Sequence, residues 1–412
     1  MKPSRGRAWF VAIVCTLAMT VSYVDRQVLA ALGPTVRTKL DFDATHFGWL
    51  TSAFAFCYLT FAPVSGSWID RIGTRRGLMI AVLVWSVVSG LQGAAFSFPA
   101  LFAIRALLGA AESPSFPAAA RTVRNVLPDR DRSAGLGLLF TGSSIGSMIA
   151  GPLAIWLNIK FGWRAAFGIA AALGTVWVPL FWFATRHDSV RTLIGAREEK
   201  LTRAPVWTML RNRDVLRAAL LVIGSAPGIM LVINWFPQIL DKTFHVVQNA
   251  QARYVWAPPA AFDVGAIGFG WIASLRDRRA KGGIAEKRDL IAIAAILAST
   301  LAVVPRAGDA TRATIVLALA MIGGGAIYTL ITSEMLARID PKLTATAGGI
   351  TAAAQSIAQI IAGPLIGKSV DKSGGYSIAL VVLGVWVIPF ALVWILAQPR
   401  TQTLRPSREP PA

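Results

Sequence analysis

The feature that most constrains this chain is a series of long apolar runs, each long enough to cross a lipid bilayer. About 20 helical residues span the hydrocarbon core, and only helices or closed barrels satisfy every backbone group there. Twelve such runs occur, at about residues 9–32, 46–69, 78–97, 100–120, 133–158, 164–185, 215–237, 253–275, 289–305, 311–335, 346–367 and 377–398. The sequence therefore predicts an all-α integral membrane protein with twelve transmembrane helices.

The formal net charge of +20 is typical of nucleic-acid-binding proteins, but the distribution of the basic residues indicates another role. If both chain ends lie on one side of the membrane, 29 of the 41 Lys and Arg residues fall on that side and 10 on the other. Cytoplasmic loops carry such an excess. We therefore expect both termini in the cytoplasm, a multi-pass location in the cell (inner) membrane, the lipid bilayer as partner and no nucleic acid.

The first apolar run follows the basic segment MKPSRGR and could be taken for a signal peptide. It is too long, it contains charges and eleven more runs follow, so we interpret it as a retained helix. Cys15 and Cys57 both lie within apolar runs. Their positions predict packing residues, with no disulfide, metal site or cofactor.

Two segments of the chain are near copies of one another. SIGSMIAGPL (144–153) and SIAQIIAGPL (356–365) are identical at seven of ten positions, at a constant offset of 212 residues. Small residues that let helices pack could recur for that reason alone, but packing does not explain the constant offset. We predict two pseudo-symmetric six-helix bundles, residues 1–185 and 215–398, joined by a cytoplasmic linker at 186–214 and followed by a cytoplasmic tail at 399–412. Secondary transporters often place their binding site between such repeats.

The loop after the second run carries a second motif, GSWIDRIGTRRG (66–77). Glycines there permit close approach or a tight turn, and the acidic and basic residues suit the membrane edge. The motif residues are Gly66, Asp70, Arg71, Gly73, Arg75 and Arg76. With twelve runs and a central basic linker, the motif resembles the major facilitator superfamily. The resemblance implies two six-helix bundles around a cavity that opens alternately to either side, usually in a monomer.

Further runs are similar to one branch of that superfamily. They are YVDR (23–26), WSVVSG (85–90), RALLGAAESPSFPAAAR (105–121), PDRDRSAG (128–135), GWRAAF (162–167) and PPAAFDVGAIGFGW (258–271). Together they resemble the anion:cation symporters, which include transporters of hexuronates, galactonate and glucarate. A Gln usual after the second-run Tyr is Ala62 here, and a fifth-run Gln is replaced near Ser143. The mechanism of the branch is therefore better supported than a sugar-acid substrate.

Four ionisable residues lie inside two of the apolar runs. Asp25 and Arg26 are adjacent, and Arg105 and Glu112 are seven apart, about two helical turns, so they share a face. Intramembrane charges face a cavity or pair with one another. Two carboxylates and two guanidiniums sum to zero, and protonating one carboxylate leaves a positive charge that attracts an anion. Structural ion pairs that only lock the fold are the alternative.

Roles follow from the chemistry of these groups, and the family resemblance implies similar roles. Arg26 is the candidate ligand of the substrate carboxylate, because a guanidinium forms bidentate hydrogen bonds with carboxylates and does not deprotonate. Asp25 and Glu112 are then the proton-carrying candidates. Arg105 is a candidate substrate ligand that could also pair with one of these carboxylates. Further candidate substrate ligands are Tyr23, Tyr58, Asn234, Gln355 and Gln359, for which hydrogen bonding between helices is the alternative. Asp263 is an accessory candidate.

The resulting prediction is proton-coupled symport of an organic anion by alternating access, with a small anion and protons as partners. An anion exchanger or facilitator for carboxylates or sugar phosphates is the alternative, and a transporter-like membrane sensor is a remote one. No GxxxxGK[ST] phosphate-binding motif occurs, which disfavours ATP-driven transport. No residue pattern indicates covalent chemistry, so we do not expect an enzyme.

Overall fold

The computed structural model describes residues 3–195, 206–279, 287–339 and 343–397. The helices, in chain order, are α1 (Arg5–Ala31), α2 (Gly33–Leu40), α3 (Ala44–Ile72), α4 (Thr74–Leu91), α5 (Phe98–Glu112), α6 (Ser115–Val126), α7 (Asp129–Ala184), α8 (Asp188–Gly195), α9 (Val206–Leu210), α10 (Arg213–Phe244), α11 (Gln248–Gln251), α12 (Ala257–Arg279), α13 (Arg288–Ser299), α14 (Ala310–Arg338), α15 (Thr344–Ser373) and α16 (Ser377–Leu396). We call α1–α7 the N-terminal bundle and α10–α16 the C-terminal bundle.

Twelve membrane crossings can be traced through the described residues, as the sequence predicts. Nine helical segments are each long and apolar enough to cross a bilayer. One of them, Ala134–Ala184, contains two crossings, because α7 bends at Gly162 (φ 81°, ψ 160°), a backbone conformation essentially restricted to glycine. The consecutive helices α5 and α6 form another crossing, and α12 forms the last. The chain is thus an all-α, multi-pass membrane protein.

The fourth crossing differs from the single run predicted at 100–120. Helix α5 ends at Glu112 and α6 begins at Ser115. The N–H of Ser113 donates to the carbonyl oxygen of Ala110, three residues earlier (3.3 Å). Pro114 has no N–H and cannot donate the next helical hydrogen bond. Glu112 therefore lies at a helix end inside the bundle, where irregular backbone is tolerated because protein surrounds it.

The two copies of the repeated motif occupy α7 and α15, where each brings the bundles together. A Cβ atom on Gly151 would collide with Val255 of the C-terminal bundle, and one on Gly363 would collide with Gly48 of the N-terminal bundle. Gly151 and Gly363 are equivalent positions in the two copies. The repeated glycine therefore permits one close crossing between the bundles on each side of the molecule.

Polar contacts seal the end of the protein opposite the chain termini, which we call the closed end. The Asp371 carboxylate of α15 accepts hydrogen bonds from the first N–H groups of α3, at Ala44 (3.0 Å) and Thr45 (2.7 Å). A carboxylate is favourable at a helix N-terminus because it satisfies unpaired N–H donors. Arg37 donates to Gln238 Oε1 (2.8 Å), and Asn158 Nδ2 donates to Gln248 Oε1 of α11 (2.9 Å), so several polar contacts join the bundles here.

Toward the other end, α3 separates from the C-terminal bundle. Ser52 Oγ still donates to the carbonyl of Ile360 on α15 (2.8 Å). From residue 56 to residue 64 no residue of α3 is buried. Residues 57, 58, 59 and 62 of this segment are half-buried and the others are exposed, so this half of α3 is packed less closely than the half nearer the closed end. The two bundles are therefore in closer contact at the closed end than along this part of α3.

Helix α8 lies within the region predicted as a linker, and its Val190 and Ile194 bury against the N-terminal bundle. The predicted tail, 399–412, lies outside the described residues.

The glycine crossing gives a prediction for stability. Gly48→Ala places a methyl group against the backbone of Gly363, and overpacking of this kind costs about 1–3 kcal/mol. We expect a lower melting temperature than wild type, measured by the intrinsic fluorescence of the detergent-solubilised protein. Gly268→Ala in α12 is the matched control, because its Cβ meets no atom within 4 Å. Equal melting temperatures for the two variants would show that the crossing is not tightly packed.

Candidate functional site

Arg26 lies on α1 among three aromatic side chains. Its Cζ lies 4.9 Å from the ring centre of Tyr23, 5.0 Å from that of Phe54 and 4.9 Å from that of Tyr58. Aromatic faces attract a guanidinium, so the rings hold this cation without neutralising it. The Arg26 side chain is 17% exposed. The structure thus brings together three of the predicted residues, and Phe54 is a neighbour that the sequence analysis did not identify.

Glu112, at the end of α5, is the carboxylate that faces Arg26. Arg26 Nε donates to Glu112 Oε2 (2.5 Å), and Ser22 Oγ donates to the same oxygen (2.9 Å). Glu112 is 0% exposed, and its second oxygen, Oε1, has no hydrogen-bond partner. The break between α5 and α6 positions this carboxylate, whereas Arg26 reaches it from α1.

Arg105 lies near this pair but does not contact a carboxylate directly. It is 5% exposed, its Cζ lies 5.0 Å from the ring centre of Phe54, and its Nη1 donates to Gln92 Oε1 (3.4 Å). Phe54 therefore lies beside both guanidinium groups. The partner found for Arg105 is an amide, where the sequence analysis predicted a carboxylate.

Asp25 points away from Arg26. Neighbouring residues of an α-helix project about 100° apart, so Arg26 can face the cavity while Asp25 faces α4. The carboxyl group of Asp25 is 0% exposed and lies within interaction range of Trp85 and Ser89. Neither of its oxygens forms a direct hydrogen bond. Sequence spacing alone did not indicate which helix Asp25 would face.

The polar candidates of the C-terminal bundle are all half-buried. Asn234 contacts Met230 Sδ through its amide nitrogen (3.8 Å), and Gln355 and Gln359 are half-buried on α15. The sequence analysis missed Tyr328 of α14, which is 39% exposed and lies near Tyr23 of the opposite bundle. Tyrosine is rare here, with five in the chain, and that rarity is the signal that could have identified it.

Asp263 joins the two bundles. Its Oδ1 accepts a hydrogen bond from Ser144 Oγ of α7 (2.7 Å). Ser144 is the first residue of the first copy of the repeated motif and lies two helical turns before Gly151 on the same helix. This contact therefore belongs to the interface between α7 and α12, apart from the Arg26 and Glu112 pair.

The loop motif forms a sharp turn between α3 and α4. Gly73 is both the C-cap of α3 and the N-cap of α4. Its φ of 83° is a backbone conformation that favours glycine. Arg75 Nε donates to Thr185 Oγ1 at the end of α7 (2.9 Å), and Arg71 and Arg76 are exposed. Gly66 and Asp70 belong to α3, and the side chain of Asp70 lies outside the described part of the chain.

No metal-binding cluster is visible in the part of the chain that the structure describes. A site would need three or more His, Cys, Asp or Glu side chains grouped together, and none of the described residues form such a group.

Comparison with known proteins identifies the family. The family profile described as the Major Facilitator Superfamily matches residues 15–363. This chain belongs to the major facilitator superfamily. The hexuronate transporter of Escherichia coli strain K12 is 27% identical over 97% of this chain and 96% of its own length. The D-galactonate transporter of Escherichia coli O6:H1 is 26% identical over 96% of each.

Solved structures support the same fold. A bacterial homologue of the human lysosomal transporter Spinster, in its inward-facing and unoccupied conformation, has a TM-score of 0.80 at 18% identity, covering 96% of this chain and 98% of its own. The nucleoside transporter NupG has a TM-score of 0.72 at 14% identity, over 94% of this chain and 100% of its own. These comparisons confirm the resemblance predicted from the sequence. This superfamily member is a membrane transporter and not an enzyme.

The pairing of Arg26 with Glu112 gives a prediction for stability. Removing one partner leaves a buried, uncompensated charge, so Arg26→Met and Glu112→Gln should each destabilise the protein, whereas the double variant loses less than their sum. We expect a coupling free energy of about 1–3 kcal/mol, measured by unfolding in mixed micelles of increasing SDS fraction.

The exposed pair Arg276–Asp289, with side chains 37% and 56% exposed, supplies the control cycle. Its coupling should stay below about 1 kcal/mol. Additive effects of the Arg26 and Glu112 substitutions would mean that the two groups do not interact in the folded protein.

Proposed function

We propose that this protein is a proton-coupled symporter of a sugar-acid anion, such as a hexuronate or an aldonate, working by alternating access. The observation that carries the proposal is a partly exposed guanidinium, Arg26, whose carboxylate partner is the fully buried Glu112. The names of the hexuronate and D-galactonate transporters that the chain resembles support the substrate class. Both substrates are hydroxylated carboxylates, which need a cation and several hydrogen-bonding groups.

Competition for Arg26 would couple the two solutes. While Glu112 is ionised, it occupies Arg26 and balances its charge. When Glu112 takes up a proton, the guanidinium loses its counter-ion but keeps its charge, since Arg does not deprotonate in proteins. An incoming carboxylate then takes the place of Glu112 and can form two parallel hydrogen bonds. Anion and proton therefore enter the site together, because either one alone leaves an unbalanced charge.

The remaining polar groups would recognise the hydroxyls of the substrate. Tyr23 and Tyr58 approach from the N-terminal bundle, and Asn234, Gln355 and Gln359 approach from the C-terminal bundle. A ligand held by both sides would draw the bundles together, which is the closure that alternating access requires. Asp25 is the second proton-carrying candidate, and Asp263, hydrogen-bonded across the bundles, is an accessory group.

The charge distribution sets the direction of these events. We assign the basic side, which carries both termini, to the cytoplasm of a cell with an inner membrane. The cavity then opens inward, and the closed end faces outward. In this orientation an inward proton gradient drives uptake. The turn at Gly73, with Asp70, Arg71, Arg75 and Arg76, lies at the inner surface, where we assign it to the switch between states, in a transporter that acts as a monomer.

Uptake into proteoliposomes tests the proposal. Radiolabelled glucuronate, galactonate, glucarate, lactate and an aromatic acid are supplied with and without an inward proton gradient. We expect sugar acids to accumulate only with the gradient. In Glu112→Gln, a permanently neutral side chain replaces the group that must gain and lose the proton, so gradient-driven uptake should fall at least about 100-fold while counterflow exchange survives.

Glu334→Gln is the matched control, since Glu334 is also a buried glutamate, 1% exposed, but pairs with Arg338 on α14. It should keep its dependence on the gradient. Uptake of sugar acids that ignores the gradient in wild type would replace symport with facilitated diffusion or exchange. Preference for a non-hydroxylated acid would reject the substrate class.

A further inference from the structure

Asp263 is a carboxylate inside a membrane-crossing helix, yet no cation pairs with it. Its Oδ1 accepts the hydrogen bond from Ser144 Oγ (2.7 Å). In the part of the chain that the structure describes, no Lys, Arg or His lies within pairing distance of it, and its Oδ2 accepts no hydrogen bond. Oδ2 is not fully enclosed by protein either. A carboxylate at membrane depth normally faces a partner or a water-filled space, so the open oxygen is available to a ligand.

The surroundings of α12 show which way Asp263 faces. The apolar and exposed positions of this helix, which suit contact with lipid, are Val264, Ile267 and Trp271. Another side of the helix packs on α14, where Gly265 lies against the backbone at Ile322. Asp263 belongs to neither side, because its hydrogen bond reaches across to α7 of the other bundle. The carboxylate therefore lies at the interface between the bundles and away from lipid.

The α7 side of this interface adjoins the Arg26 site. Gly146 follows Ser144 by two residues on α7. It lies so close to α1 that a Cβ atom on it would be 2.9 Å from Tyr23 Cβ. The ring centre of Tyr23 lies 4.9 Å from Arg26 Cζ. Ser144, the partner of Asp263, is therefore close to the aromatic group that holds Arg26.

The α12 side of the interface leads to the same tyrosine. Phe262 precedes Asp263, and its ring centre lies 6.2 Å from that of Tyr328 on α14. Tyr328 in turn lies near Tyr23. Tyr23 is thus a common neighbour of the Arg26 site and of the residues that flank Asp263 on both bundles. A ligand held at Arg26 would extend past Tyr23 toward Asp263.

The Arg26 site can neutralise one substrate carboxylate but not two. In the proposed coupling, a proton on Glu112 releases Arg26 for one carboxylate. Arg105 is a poor second ligand, because it is 5% exposed and already donates to Gln92 Oε1 (3.4 Å). The candidate ligands from the C-terminal bundle are all uncharged, namely Asn234, Tyr328, Gln355 and Gln359. A second carboxylate would therefore meet no accessible cation among the described residues of the site.

Asp263 adds a repulsive element to this shortage of cations. Two carboxylates at short range repel each other, and within an interface such a pairing costs several kcal/mol. A hydroxyl group in the same place would instead donate a hydrogen bond to Oδ2, and hydrogen bonds to ionised acceptors are the stronger kind. One side chain thus favours a hydroxylated end of the substrate and disfavours a charged one. Specificity commonly combines an attractive and a repulsive contribution in this way.

We propose that Asp263 restricts the transported sugar acid to monocarboxylates, by accepting hydrogen bonds from substrate hydroxyls and by repelling a second carboxylate. The inference rests on the proposed function, since it narrows the substrate class at the same site, but it does not depend on proton coupling. Aldonates such as galactonate, with a carboxylate at one end and a hydroxyl at the other, fit the site. Aldarates such as galactarate, with a carboxylate at both ends, are excluded.

Competition between matched acids tests this selectivity in proteoliposomes. Galactonate and galactarate have the same configuration at every central carbon and differ only in the terminal group; gluconate and glucarate form a second such pair. Each unlabelled acid competes at neutral pH with counterflow of radiolabelled galactonate or glucuronate, which needs no proton gradient. For half-inhibition of wild type, we expect the aldarate to require a concentration at least about tenfold higher than the aldonate, because like charges repel.

Substitutions of Asp263 test whether this residue is the cause. Asp263→Asn keeps the size of the side chain and an oxygen that can accept from Ser144, but it removes the charge. The preference for the aldonate should fall to within about threefold, and Asp263→Ser, a second variant without the charge, should behave alike. Because the preference compares two anions in one protein, a smaller folded fraction or slower transport cancels from it.

Two control variants separate charge from other effects. Ser144→Ala removes the hydrogen bond of Asp263 but keeps its charge, so it should retain the wild-type preference. Glu334→Gln should retain it too, since it removes a buried carboxylate that pairs with Arg338 elsewhere in the C-terminal bundle.

Equal inhibition of wild type by the aldonate and the aldarate would overturn the inference, whatever the variants show. A preference that is unchanged in Asp263→Asn and in Asp263→Ser would overturn the role of Asp263. Failure of wild type to exchange either labelled acid would instead overturn the substrate class of the proposed function, and the inference with it.

Discussion

An ionised group inside a membrane protein needs a counter-ion or a route to neutrality, and the pairing of Arg26 with Glu112 meets this requirement. The pair connects α1 with α5, the first and fourth crossings. Glu112 is the last residue of α5 and faces Arg26 beside the turn to α6. Phe54 lies beside both Arg26 and Arg105. The aromatic side chains of Tyr23, Phe54 and Tyr58 surround the guanidinium of this pair.

Much of the architecture could be predicted from the sequence. Length and hydropathy identify the twelve crossings, and the 212-residue offset identifies the duplication. The seven-residue spacing places Arg105 and Glu112 on one face of α5. Contacts between distant segments could not be predicted. Asp371 caps α3 from 326 residues away, and the orientation of Asp25 toward α4 depends on how α1 is rotated in the bundle. Periodicity fixes the relative faces of residues on one helix but not which neighbour each face meets.

The duplication also shows which features diverged. Gly151 and Gly363 keep the same role in close helix crossing, since a side chain at either position would force the bundles apart. The ionisable quartet has no such counterpart, because Gly324 stands 212 residues after Glu112. Close packing survives in both halves, whereas the carboxylate and guanidinium groups of α1 and α5 have no counterpart in the second half. In the proposed function, an anion at Arg26 would take its second set of contacts from neutral side chains of the other bundle.

The adjacency of Asp25 and Arg26 has a geometric consequence. Two neighbouring residues of one helix cannot share a face, since each is turned about 100° from the next. A cation on the cavity side therefore places the neighbouring carboxylate toward the bundle interior. Spacing of three or four residues would have put both groups on one face, where they would neutralise each other. Adjacency lets Arg26 face Glu112, and it leaves Asp25 to the polar interior beside α4.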